Sequence, residues 1–86
     1  MFNAIIVDDE RPALDILGLL LEKTGQVCIV GAFQSAAGAL EEMQNLRPDV
    51  VFLDIEMPDM SGLELAGEII DQGIDAEIVF VTAYDK

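Results

Sequence analysis

Apolar and polar positions along the chain fall into alternating strand-like and helix-like blocks. Phe2 to Val7 ends in a continuous apolar run, the mark of a strand covered on both faces. Ala13, Leu14, Leu17, Leu20 and Leu21 then recur at helical spacing and predict an amphipathic helix to about Thr24. Ile16 and Leu19 widen its apolar face. Pro12 suits its first turn, and Gly25 suits its C-terminal stop. Val27 to Phe33 reads as a second strand, interrupted by Gly31. Ser35 is placed to cap a second helix to about Leu46, with Ala36, Leu40 and Met43 on one side. Arg47-Pro48-Asp49 ends it, because proline disfavours helix at the residue before it. Val50 to Leu53 is a third strand. A third helix from Ser61 or Gly62 carries Leu63, Ala66, Ile69 and Ile70 to about Asp71 and breaks at Gly73. Ile78 to Val81 forms a fourth strand.

This β-α-β-α-β-α-β order implies an α/β fold: a doubly wound parallel sheet with right-handed crossovers and helices on both faces. No repeat, low-complexity segment or linker divides residues 1–86, so one unit is expected. An apolar content of 52% indicates a packed core and argues against disorder. No apolar run nears the roughly 18 residues that suggest a membrane span, and no leader-like segment opens the chain; a cytoplasmic location is expected. Seventeen acidic residues against four basic ones, a net charge of −13, oppose direct contact with nucleic acid or with an anionic membrane. Cys28 lies in an apolar stretch and is expected to be a buried core thiol. That one thiol and the lack of histidine argue strongly against a zinc site.

In open parallel sheets, ligands gather at the carboxyl ends of the strands, where the strand order reverses. In the common doubly wound order the first and third strands are neighbours, about 4.8 Å apart. Asp8 and Asp9 end the first strand, Asp54 ends the third, and Thr82 ends the fourth on the far side of Asp54. Carboxylates so close repel unless a proton or a cation is shared between them. An all-oxygen set selects magnesium, with manganese and calcium as its relatives. Each residue alone has a plainer account. Asp8, Asp9 and Glu10 suit a solvated helix start, Asp54 an exposed strand end, and Thr82 an ordinary strand. Pro58 and Gly62 are common turn residues. Their convergence is what favours a site.

Val7-Asp8-Asp9-Glu10, the segment Asp54-Ile55-Glu56-Met57-Pro58-Asp59-Met60-Ser61-Gly62, and Thr82-Ala83 together resemble a response-regulator receiver domain of two-component signalling. The resemblance covers essentially the whole chain. It implies a flavodoxin-like sheet of order 2-1-3-4 and a phosphoacceptor role for Asp54, which would take a phosphoryl group from a sensor histidine kinase. It further implies that Asp8, Asp9, Asp54 and the backbone carbonyl of Glu56 hold Mg2+. Thr82 would hydrogen-bond the phosphoryl group, and Tyr84 would be a switch aromatic. Val81-Thr82-Ala83-Tyr84-Asp85-Lys86 further resembles receivers attached to LytTR-type DNA-binding domains.

One departure stands out. The family's fifth strand ends in a lysine, and Lys86, four residues after Thr82, is too near to be it. The expectation is therefore a partial receiver over residues 1–86, stopping before the fourth helix and fifth strand and lacking the switch lysine. The fourth strand would then be a free edge prone to pair with a second copy. Any DNA contact would come from an output domain outside these residues. Three functional classes remain: a phosphoacceptor signalling module, a binding-only receiver remnant, and an aspartate-nucleophile phosphohydrolase. The last wants an aspartate two residues after the nucleophile, where this chain has Glu56.

Overall fold

Strands and helices alternate along residues 1–81, the part of the chain that the computed structural model describes. They are β1 (Phe2–Val7), α1 (Arg11–Lys23), β2 (Val27–Phe33), α2 (Ala36–Leu46), β3 (Val50–Asp54), α3 (Gly62–Asp71) and β4 (Glu77–Val81). The strands form one parallel sheet, as the alternating pattern implies, in the order β2-β1-β3-β4 that the resemblance implies.

Local chemistry sets the helix bounds. Proline occupies the first turn of α1, where its missing N–H costs nothing. The chain leaves α1 through Gly25 at φ 71°, a left-handed conformation that glycine adopts without a Cβ penalty. Ser35 caps α2 by accepting from the Gly38 N–H. Arg47 closes that helix in a left-handed conformation and donates its own N–H to the Met43 carbonyl. Ser61 and Glu64 form a reciprocal capping box on α3.

Side-chain alternation along the two central strands divides the core into two layers. Ile5 and Val7 of β1, with Val51 and Leu53 of β3, pack against Ala36, Ala39 and Met43 of α2 and Leu65 and Ile69 of α3. Ile6 points to the other face, towards Leu14 and Gly18 of α1 and Ile29 and Ala32 of β2. The β1–β2 register slips between Ala4 and Ile5, so that Ile29 and Gly31 become successive partners across a bulge. Gly31 suits that bulge, since a Cβ there would lie 2.7 Å from the Phe33 ring.

Three expectations about exposure are corrected. Cys28 is exposed rather than buried, because β2 is an outer strand with a neighbour on one side only. On α1, Leu14 is buried, whereas Ile16, Leu19 and Leu20 face solvent. On α3 the buried face is Gly62, Leu65, Ala66 and Ile69, while Leu63 and Ile70 are 63% and 67% exposed. Gly62 sets this rotation. It lies against the end of β3, and the residues three, four and seven positions later must then face inward with it.

Candidate functional site

The parallel pairing of β1 with β3 sets Val7 opposite Leu53. Each strand is followed, in the same direction, by an acid: Asp8 after Val7, and Asp54 as the last residue of β3. Asp8 extends the β1–β2 ladder by donating its N–H to the Phe33 carbonyl at 3.0 Å, which holds the β1–α1 turn at the sheet end. The Asp8 carboxylate then accepts the Glu10 N–H at 2.9 Å and bends the chain into α1. Asp9 is carried between them.

Asp8, Asp9 and Asp54 each offer a carboxylate oxygen, and these oxygens lie within 4.8 Å of one another. All three residues are half-buried. At such separations each charged pair costs on the order of 1–3 kcal/mol, less where water screens it. The Asp8 pKa is raised accordingly, first by burial and then by the negative charges of Asp54 and Asp9, against a lowering by the Glu10 N–H. Among the described residues no donor reaches the Asp54 side chain. The group is a set of hard oxygen donors with no partner cation among those residues, which is the chemistry of a magnesium-type site.

Behind the acids, the turn from β3 to α3 requires glycine. The Gly62 N–H donates to the Ile55 carbonyl at 2.6 Å. A Cβ at Gly62 would collide with the Asp54 carbonyl oxygen and lie 2.7 Å from the Leu53 side chain. Met57 folds back into the core between these points, with 8% exposure. Glu56 sits exposed in the same loop.

The residues of this site are matched by a family model, described as the response regulator receiver domain, over residues 4–86. The chain belongs to this family. Its whole length aligns at 45% identity with an uncharacterized response regulatory protein of Vibrio cholerae and at 44% with the sensory transduction protein LytT of Bacillus cereus. It covers 36% and 35% of those two proteins, so it spans about a third of the curated relatives it matches. The signal receiver domain of the response regulator NarL from Mycobacterium tuberculosis superposes with a TM-score of 0.87 at 28% identity, over 99% of this chain and 68% of that one. Receiver domains are signalling modules that generally bind Mg2+ at an acidic pocket and interact with histidine kinases. The likeness to LytT agrees with the LytTR-type resemblance.

The structure brings Asp8, Asp9 and Asp54 together as the sequence led one to expect. Thr82 and Tyr84 lie outside the described residues, as does Lys86. Two residues beside the receiver site escaped sequence reasoning. Gln34 donates its side-chain amide to the Asp9 carbonyl at 3.3 Å, and Asp59 accepts the Ala37 N–H at 3.2 Å. Each is an exposed polar residue next to a helix start, and no periodicity or spacing marks such a contact. No helix of the described residues is long and apolar enough to cross a membrane.

Proposed function

We propose that this receiver acts in the cytoplasm and accepts a phosphoryl group on Asp54 from a phosphohistidine of a sensor histidine kinase. The observation that carries the reading is the meeting of Asp8, Asp9 and Asp54 at the carboxyl ends of neighbouring strands, with no described donor on the Asp54 side chain. A carboxylate tied up by backbone donors would be a poor nucleophile; among the described residues none ties up this one. Asp54 attacks phosphorus in line, the phosphorus–nitrogen bond breaks, and the imidazole leaves with its electron pair. The product is a mixed anhydride, an aspartyl phosphate.

Asp8, Asp9 and Asp54, with the Glu56 backbone carbonyl, would hold Mg2+, whose charge offsets that of the phosphoryl oxygens. The donor set fits this ion, since magnesium takes few protein carboxylates and keeps several waters. Asp54 would then have two tasks, as a ligand of the ion and as the nucleophile. Thr82, from the family pattern, is the proposed partner of a phosphoryl oxygen after transfer, and Tyr84 the switch aromatic.

The test is incubation with Mg2+ and acetyl phosphate, read by intact mass. One added phosphoryl group is expected, absent in Asp54→Asn and reduced at least tenfold in Asp9→Ala. An unlabelled wild-type chain favours a binding-only receiver. Multiple turnover of the donor with no trapped intermediate favours a phosphohydrolase.

A further inference from the structure

The acid site is built by two loops, the β1–α1 turn carrying Asp8 and Asp9 and the β3–α3 loop that follows Asp54. Neither loop makes a side-chain hydrogen bond to the other among the described residues. A third segment, Gln34–Ala37 between β2 and α2, reaches both. On one side the Gln34 amide donates to the Asp9 carbonyl, 25 residues away in sequence, at 3.3 Å. On the other, the Ala37 N–H donates to the Asp59 carboxylate, 22 residues away, at 3.2 Å. Both bonds sit at the same end of the sheet, since β2 also receives the Asp8 N–H at Phe33.

The Ala37 bond has a clear physical basis. Ala37 is the second residue of α2, and its N–H is one of the first few that have no partner within the helix. Ser35 satisfies the next one, at Gly38, at 2.9 Å. Asp59 supplies the other acceptor from a different loop, and its negative charge faces the positive end of the helix dipole. The contact is a charge-assisted bond on an exposed surface, and it ties the β3–α3 loop to the first turn of α2.

We propose that Gln34 and Asp59 are positioning residues that clamp the two site loops to the start of α2 and set the spacing of the divalent-cation ligands. The inference rests on the metal and phosphoacceptor reading given above. It assigns Asp59 a role apart from the acids of the site: it holds the loop through Ala37 and touches neither ion nor phosphoryl group.

The experiment uses Mn2+ as the probe, its affinity measured by calorimetry on the wild-type chain and on Asp59→Ala, Asp59→Asn and Gln34→Leu. Asp59→Ala and Asp59→Asn remove the same charge, but asparagine still offers an oxygen to Ala37. Comparing them separates the clamp from the general field of the acids. The proposal expects Asp59→Ala to bind at least threefold more weakly than Asp59→Asn, and Gln34→Leu to weaken binding by a similar factor. Amide exchange at Ala37 supplies the second readout, with protection in the wild type and in Asp59→Asn and fast exchange in Asp59→Ala. Equal Mn2+ affinity for Asp59→Ala and Asp59→Asn, with wild-type binding intact, overturns the clamp alone. A wild-type chain that binds no Mn2+ overturns the metal reading, and the clamp's stated purpose with it.

Discussion

Strand β3 has an aspartate at each end, and the two are treated in opposite ways. Asp49, just before the strand, is woven into the backbone. Its carboxylate accepts the Asn3 N–H at 2.7 Å, its own N–H donates to the Asn3 carbonyl at 2.7 Å, and its carbonyl accepts from Glu77 at 2.9 Å. It joins β1, β3 and β4 at the amino end of the sheet. Asp54, five residues on, meets two other carboxylates instead, and its side chain receives no donor from the described residues. The charge at the first end is exposed and hydrogen-bonded, whereas the one at the second is half-buried beside two others and open to a cation. Position along a strand thus separates an acid that serves folding from one that is available for chemistry.

The largest expected effect bears on the backbone beneath Asp54. Gly62→Ala forces a methyl group into the Asp54 carbonyl and the Leu53 side chain, and should cost about 3 kcal/mol or more in urea unfolding. A variant within 0.5 kcal/mol of wild type would mean that the turn can relax and does not fix the acid.

The contrast itself is tested by making the same change at both ends. Asp49→Ala removes the acceptor of the Asn3 N–H and should destabilise the chain by about 1 kcal/mol, with or without Mg2+. Asp54→Ala relieves repulsion at the cluster and should stabilise the metal-free chain by roughly the same amount. It should also abolish the rise in Tm on adding Mg2+. Effects of the same sign in the metal-free chain would remove the distinction between the two ends.

How far this difference was legible beforehand depends on what produced it. Strand bounds followed from apolar runs separated by helical spacing, and the strand order from the family resemblance; together they placed Asp8, Asp9 and Asp54 side by side, because a parallel register carries neighbouring strand ends to one edge. Asp49 gave no such sign. Its role rests on a pairing with Asn3, 46 residues away, that only the folded register creates. The face of α3 was read only in part for a related reason: Ala66 and Ile69 are buried as expected, whereas Leu63 and Ile70 are exposed. Leu63 with Ile70 and Leu65 with Ile69 both fit a helical period, and the contact of Gly62 with the end of β3 chose between them. Cys28 was misread because an apolar run does not reveal that its strand lies at the edge of the sheet.

A smaller effect concerns pH. Asp8 is raised above the ordinary aspartate value by burial and by the adjacent charges. Its protonated form is therefore favoured in the folded chain. The associated stability is fully present below the ordinary aspartate value and is lost as pH rises through the raised one. Asp8→Asn should accordingly raise the Tm of the metal-free chain by a few degrees at neutral pH, an advantage that shrinks as the pH falls below the aspartate range. An advantage that persists unchanged at low pH would assign the gain to something other than charge.

The central claim is that Asp54, among the three acids, is the one that takes the phosphoryl group. Borohydride reduces an acyl phosphate to the alcohol, so an aspartyl phosphate becomes homoserine and can be located by peptide mass spectrometry. After treatment with Mg2+ and acetyl phosphate, reduction should convert Asp54 to homoserine and leave Asp8 and Asp9 as aspartate. Homoserine at position 8 or 9, or at none of the three in a chain that binds Mg2+, would contradict the account.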